Sequence, residues 1–302
     1  MTNLIITGPT ASGKSNLALK LAKDFDNIEL ISADAFQVYK GLDIGTAKPT
    51  NYERQIVKHH LIDINEPTEC YTSGIFVENA EKLIENIRHR GKIPVIVGGT
   101  GLYIKSLSEG IFDCPKIDDS IRKSLHLDIE KYGLEYLYKK LLLIDKDYAT
   151  RISCNDPVRI VRALEVYEGL GITFTEAHIK YKKNPKYKYY ICVLTPERDK
   201  LYENINLRTK LMWQSGWVEE VKTLLNNGVP VDCPAFRAIG YKEVIDYIND
   251  SIDEEKAIYE ISKQTRHFAK RQYTWFRGMK NINYFYDNDK LFNSAKSFIL
   301  GG

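Results

Sequence analysis

The sequence contains no apolar run approaching the roughly 20 residues that cross a bilayer. It also opens directly on an apolar stretch, without the basic and then apolar leader of a secreted chain. A cytoplasmic protein with no membrane partner is therefore the expectation. Cysteine is scarce: Cys70, Cys114, Cys154, Cys192 and Cys233 are scattered, odd in number and never spaced C-x-x-C. That spacing argues against both a disulfide framework and structural zinc. Neither sign of charge dominates, with 43 Lys and Arg against 40 Asp and Glu, so the total says nothing about nucleic acid and the local distribution must be read instead. Internal repeats and low-complexity segments are absent as well. What remains is a 302-residue chain, 43% hydrophobic and 27% charged, long enough for one large α/β domain or a core interrupted by a smaller one.

The most informative stretch follows the apolar run Leu4-Ile5-Ile6. Gly8-Pro9-Thr10-Ala11-Ser12-Gly13-Lys14-Ser15 matches G-x-x-x-x-G-K-[ST], a phosphate cradle at a strand-to-helix junction. The glycines let the loop curl so that backbone N–H groups point inward, Lys14 supplies a point charge, and the Ser15 hydroxyl suits Mg2+. Asn16 to Lys23 continue with helical apolar spacing, the context that the motif requires.

From residue 3 to about 112, short β-branched runs (Leu4 to Thr7, Glu29 to Ser32, Leu61 to Ile64, Pro94 to Val97) alternate with helical stretches, the pattern of a parallel sheet. Past Asp113-Cys114-Pro115 the β signal vanishes, and helices are expected from about Asp118 to Tyr132, Leu134 to Leu143 and Pro157 to Tyr167. The strand pattern returns at Tyr189 to Leu194 and again at Ile282 to Phe285. The predicted fold is α/β, a P-loop NTPase-like parallel-sheet core over 1–113 and 189–302 with an all-helical insertion over 114–188. The tract Lys180 to Tyr190, five lysines interleaved with four tyrosines, reads equally well as a solvated hinge or a functional surface.

Several positions carry chemistry. Asp34 follows the second strand at the carboxyl edge where open α/β sheets bind ligands. It could hold Mg2+ through water, take a proton from a nucleophile, or simply cap a helix. The fourth strand ends in Gly98-Gly99-Thr100, where close backbone approach and one hydroxyl are on offer. Asp63 is the nearest substitute for a second Mg2+ carboxylate, and His59-His60 reads as structural. Arg208 suits either a departing diphosphate or a surface salt bridge. On the helix from about Asp253 to Phe276, Lys263, Arg266, Lys270, Tyr273 and Arg277 share one stripe, with Ile258, Ile261, Thr265, Phe268 and Phe276 opposite. A basic face carrying an aromatic suits RNA. In the insertion, Asp156 and Pro157 can start a helix on which Arg159 and Arg162 share a face.

Taken with Gly41 to Pro49, Asn155 to Glu165, Arg237 to Lys242 and Thr265 to Arg277, these blocks closely resemble the tRNA dimethylallyltransferase family, in order over nearly the whole chain. The resemblance implies transfer of a dimethylallyl group from dimethylallyl diphosphate to N6 of adenosine 37 of tRNA. It also implies Mg2+ at Ser15, diphosphate in the cradle, and an insertion that grips the anticodon stem-loop; a monomer is the expectation. By the same resemblance, Asp34, Thr100 and Arg208 are catalytic. The tRNA contacts are Asp34, Ala35, Phe36, Gln37, Thr100, Arg122, Val158, Arg159, Ile160, Val161, Arg162, Arg237, Ala238, Ile239, Gly240, Tyr241, Lys242, Arg266, Lys270 and Arg271. The chain departs from the family pattern at Ala35-Phe36, where Ser-Arg or Ser-Lys is common, and at Asn204, where an arginine is common. A P-loop kinase would leave the basic helix unexplained, an enzyme acting on free adenosine phosphates would not need the insertion, and a mere tRNA-binding module would not need Asp34, Thr100 and Arg208 together.

Overall fold

The computed structural model describes residues 2–301. The chain divides into two compact units, Met1–Ser108 with Lys186–Gly302, and Glu109–Pro185. The first unit begins β1 (Thr2–Thr7), α1 (Lys14–Asp24), β2 (Ile28–Ser32), α2 (Asn51–Ile56), β3 (His59–His60), α3 (Ser73–His89), β4 (Ile93–Gly98) and α4 (Gly101–Glu109). The second unit contains β5 (Ile111–Phe112), α5 (Asp119–Tyr132), α6 (Leu134–Ile144), α7 (Lys146–Ala149), α8 (Pro157–Leu170), α9 (Phe174–Lys180) and β6 (Lys182–Lys183). The first unit then resumes with β7 (Lys188–Leu194), α10 (Arg198–Gln214), α11 (Trp217–Asn226), α12 (Tyr241–Ile248), α13 (Glu254–Arg277), β8 (Ile282–Phe285) and α14 (Asn288–Gly301).

The six strands of the first unit pair in the order β3-β2-β4-β1-β7-β8, all parallel. Strands buried on both faces read as continuous apolar runs, as in Leu4-Ile5-Ile6. Leu4, Ile6, Leu30, Val95, Cys192 and Leu194 pack with α1 and α14 residues such as Leu17, Leu21, Leu291 and Phe292. Ile5, Ile31 and Ile96 point the other way and are equally buried, and α3 packs on β2 and β4. Each such aliphatic side chain contributes about 1.5–3 kcal/mol through burial. The register pairs Thr7 with Gly98 and Val193, and Ser32 with Val97. The carboxyl ends of four strands, with the loops that leave them, therefore meet at one edge. On both sides of β1 the chain reverses its direction of travel across the sheet, the place where such folds bind ligands.

A second apolar cluster, built on Trp213, Trp217, Val221, Phe236, Tyr241 and Ile261, receives Val38, Tyr39 and Leu42 from the segment after β2. The Glu109–Pro185 unit has its own core, with Leu125, Leu137, Leu141, Ile160, Leu164, Val166 and Phe174 at its centre.

Two expectations need correction. Leu61 to Ile64 is not a strand: pairing occurs at His59–His60, and Leu61 and Asp63 adopt φ of 62° and 57°. The Asp63 carboxylate meets Lys48 and Arg54. Nor is the insertion over 114–188 all helical, because β6 lies within it and pairs antiparallel with β5, which precedes it. Pairs of two-residue strands are too short to show a period.

Candidate active site

The segment Gly8 to Ser15 bridges β1 and α1. Gly13, at φ 96°, caps α1 in a conformation that other residues avoid. The loop is held from outside rather than by itself alone. The Thr10 N–H donates to Gln272 Oε1 at 2.9 Å, Arg208 donates to Thr10 Oγ1, and Asn204 Nδ2 reaches the carbonyl of Ala11 at 3.5 Å. Ala11 sits at φ 61°, a strained backbone of the kind that concentrates at functional sites. Lys14 Nζ donates to the Pro9 carbonyl at 3.2 Å. Ser15 lies exposed at the first turn of α1, and the buried Ser12 hydroxyl has no hydrogen-bond partner among the described residues.

Burial is the main reason that the Lys14 ammonium is pushed down to about 8, with the Arg208 guanidinium adding to the effect and Asp34 opposing it. Arg208 is lowered too, again chiefly by burial and again opposed by Asp34. Two cations and one carboxylate therefore lie within electrostatic reach of each other at the sheet edge. Perturbed groups of this kind in one concavity mark candidate functional sites.

Asp34 leaves β2 in an Asx turn, its Oδ1 accepting from the N–H groups of Phe36 at 2.9 Å and Gln37 at 3.3 Å. Thr100 presses against the same turn: its Oγ1 accepts from Ala35 N at 3.0 Å and its N–H donates to Ala33 O at 3.2 Å. Gly98 makes this approach possible, because a Cβ there would stand 2.2 Å from the Ala33 carbonyl oxygen. Gly98→Ala should therefore lower stability in denaturant unfolding by about 1–3 kcal/mol, as overpacking does.

Gln37 is engaged within the protein, accepting from Ser32 Oγ at 3.0 Å and donating to the carbonyls of Thr46 and Ala47 at 3.2 and 3.1 Å. The segment Gly41 to Pro49 is fixed at two more points. Glu220 accepts from the N–H groups of Asp43, Ile44 and Gly45 and from the Tyr241 hydroxyl. The buried Lys48 ammonium meets Asp43, Asp63 and the Tyr39 carbonyl. Phe36 is half-buried against the second apolar cluster, which accounts for an aromatic at that position.

Among the other expected RNA contacts, Arg237 and Lys242 are exposed, whereas Ala238, Gly240 and Tyr241 are buried and Ile239 is half-buried. On α13, Arg266 donates to Asn206 Oδ1 at 2.6 Å. Lys270 and Arg271 are exposed and flank, with Lys105 and Trp275, a hollow of about 460 Å³. Lys263 pairs with Glu260, and the Tyr273 hydroxyl donates to the Pro196 carbonyl at 2.6 Å.

Within the second unit, Asp156 caps α8 by accepting from Arg159 N at 3.0 Å, and Pro157 occupies the first turn. Val158 and Arg159 are exposed and Arg162 is half-buried, while Ile160 and Val161 belong to the core. Arg122 and Arg162 converge on the buried Glu165 at 2.8 and 2.9 Å. Burial alone would raise that carboxyl, but the two guanidiniums outweigh it and hold it below the usual carboxylate value. Glu165→Leu should leave both guanidiniums without their anion and destabilise by about 1–3 kcal/mol. Because the carboxyl is depressed in the fold, its contribution is present above its unfolded pKa and fades as pH falls through the folded one. The parent and the variant should therefore converge in melting temperature in acid.

Gln272, Glu220 and Lys48 escaped the sequence reading. For Gln272 a signal existed: an amide stands on the apolar stripe of α13, among Ile261, Thr265, Ala269 and Phe276, where the spacing calls for a hydrophobe.

Comparison with known proteins shows the family of the chain. The family model described as IPP transferase matches residues 37–279. A tRNA dimethylallyltransferase of Heliobacterium modesticaldum is 44% identical over 276 residues, covering 91% of this chain and 86% of its own length. One of Thermotoga neapolitana is 41% identical over 304 residues, covering 99% and 98%. The full-length tRNA isopentenylpyrophosphate transferase of Bacillus halodurans matches in structure with a TM-score of 0.71 at 38% identity, over 99% of this chain and 96% of that one. A eukaryotic dimethylallyltransferase acting on tRNA gives 0.77 at 30% identity, over 91% and 69%. By sequence and by fold, the chain belongs to the IPP transferase family, whose curated relatives are tRNA dimethylallyltransferases.

Proposed function

We propose that this protein transfers the dimethylallyl group of dimethylallyl diphosphate to N6 of adenosine 37 of tRNA. The observation that carries the reading is the meeting, at one sheet edge, of an anion cradle holding Lys14 and Arg208 with a carboxylate, Asp34, whose field both cations feel. The cradle binds the diphosphate, since its cations and inward N–H groups recognise phosphate oxygens whatever group those oxygens bear. The adenosine is flipped out of its loop, because a stacked base cannot be reached otherwise. Asp34 accepts a hydrogen bond from the N6 amine, Thr100 holding the turn that aims it. The nitrogen lone pair forms the bond to C1 as the C1–O bond breaks, the diphosphate departs with that electron pair, and the N6 proton passes to Asp34. Lys14 and Arg208 stabilise the charge growing on the leaving group, each such donor being worth ~10² to 10³ in rate.

Among the described residues no group of three or more His, Cys, Asp or Glu could hold a metal. Mg2+ is nevertheless compatible with the site, because it takes few protein ligands where phosphates supply the rest. The exposed Ser15 hydroxyl would hold it beside the diphosphate oxygens, where it would neutralise leaving-group charge. Arg237, Lys242, Arg266, Lys270 and Arg271 on one unit, and Arg122, Val158, Arg159 and Arg162 on the other, supply surfaces for the phosphates and bases of the anticodon stem-loop. No helix among the described residues is long and apolar enough to cross a membrane, and we place the enzyme in the cytoplasm, acting as a monomer. Incubation with unmodified anticodon stem-loop RNA, dimethylallyl diphosphate and Mg2+ should add one five-carbon unit to the purine 3′ of the anticodon, read by mass spectrometry of the digested RNA. Stabilisation of the protein by ATP but not by dimethylallyl diphosphate in a thermal-shift assay would overturn the reading.

A further inference from the structure

The phosphate loop and the Asp34 turn belong to different strands, and no backbone hydrogen bond among those between β1 and β2 ties them, since β4 lies between. The Thr7 hydroxyl, donating to the Gly98 carbonyl at 2.8 Å, ties the foot of the loop to β4, and beyond that strand the loop itself is joined to the Asp34 side through one buried side chain of α13. Gln272, 5% exposed, accepts from the Thr10 N–H at 2.9 Å with Oε1 and donates to the Gly99 carbonyl at 2.8 Å with Nε2. On the Thr10 side, the next bond comes from Arg208 to the Thr10 hydroxyl. On the Gly99 side, Thr100 is bonded to Ala33 and Ala35, the residues either side of Asp34. A continuous chain therefore runs Arg208–Thr10–Gln272–Gly99–Thr100–Asp34. The space at the joint is tight: the position that a Cβ on Gly99 would take lies 2.7 Å from Gln272 Nε2 and 3.5 Å from Lys14 Nζ.

We propose that Gln272 is a positioning residue that sets the separation between the diphosphate cradle and the base-orienting carboxylate. Three features of the geometry carry this. A carboxamide is the side chain that offers one acceptor and one donor at adjacent atoms, and the two backbone groups it meets are of opposite kind. Its Oε1 occupies the Thr10 N–H, so that this amide serves to place the loop and is not offered to the diphosphate. And an apolar residue would fit the helix stripe better, so the amide is retained against the local pattern. Nucleophilic displacement demands a near-attack distance between nitrogen and carbon, and a displacement of about 1 Å costs on the order of 10²-fold in rate. Gln272 acts on that distance without touching either reactant.

The proposal rests on the function set out above, so its test has one arm that does not. Gln272→Glu keeps size and the acceptor for Thr10 but loses the donor to Gly99 and brings negative charge near Lys14. Gln272→Met keeps volume and loses both. In calorimetry with Mg2+ and inorganic diphosphate, both variants should bind at least tenfold more weakly than the parent, Gln272→Glu the more so. In turnover at saturating donor and stem-loop, kcat should fall about 100-fold with KM for the stem-loop within twofold. A residue that merely fills the core would lower the melting temperature of Gln272→Met while leaving the folded protein's diphosphate affinity and kcat at parental values, and that result overturns the proposal. An inactive parent protein would count against the assigned reaction, whereas the diphosphate arm would still decide the role of Gln272.

Discussion

Asp34→Asn should reduce transfer to the stem-loop about 10³-fold, within the range for loss of a general base, while leaving the melting temperature unchanged. The substitution isolates the proton step because the structural work of Asp34 is done by one oxygen. Oδ1 accepts from Phe36 and Gln37, and the carboxamide oxygen of asparagine can accept the same two bonds. The other oxygen of the carboxylate is replaced by an NH2, which donates where the N6 amine also donates and cannot take its proton. A second effect follows from charge. Asp34 opposes the lowering of the Lys14 ammonium, so neutralising it should depress Lys14 further and move the pH above which diphosphate affinity declines to a lower value. Single-turnover rates with pre-bound donor separate the two effects. A variant that transfers within tenfold of the parent in that assay would remove Asp34 from the role of base.

The legible parts of this site were those written in contiguous residues. The loop Gly8 to Ser15 between β1 and α1 is legible in its own spacing. The positions of Asp34 and Thr100 at the carboxyl edge of the sheet were legible because each follows a strand with an apolar run. Pairings at long sequence separation were hidden. Glu220 stands 175 residues from the N–H of Gly45, and Gln272 stands 262 from that of Thr10, and no local period encodes such a bond. Burial could also mislead along a short stretch. The resemblance implies tRNA contacts along Val158 to Arg162, but helical geometry turns the side chains of Ile160 and Val161 into the core of their unit, and Arg162 is held by Glu165. The run Leu61 to Ile64 departs from expectation too: its β-branched and apolar residues suit a strand, yet Leu61 and Asp63 take left-handed conformations, and Asp63 pairs with Lys48 and Arg54 from outside the run.

Lys14→Ala should weaken binding of the donor and lower kcat/KM about 10³-fold, since the charge lost is aimed at the group that departs as an anion. The parent enzyme should also show a pH signature that the variant lacks. Without ligand, the Lys14 ammonium is held down to about 8 by burial and by Arg208, so a growing share of the protein is neutral at this position as pH rises past that value. Bound diphosphate stabilises the ammonium, and binding above pH 8 must therefore take up a proton. Affinity in the parent should be flat with respect to this group below pH 8 and should decline above it, towards tenfold per pH unit, until the lysine in the complex also titrates. Lys14→Ala should bind weakly throughout, retaining only the ligand's own titration, which makes it the reference for the parent curve. The same displacement acts on the empty fold with opposite sign. A lysine whose pKa is lowered by folding destabilises the native state while both forms are protonated, and this is relieved as pH rises from about 8 towards the value of 10.5 for a free side chain. The ligand-free parent should thus gain stability relative to Lys14→Ala between those two pH values, in the interval where it loses affinity. Parallel curves for the two proteins in both measurements would show that Lys14 is an ordinary solvated lysine and that the cradle draws its charge from Arg208 instead.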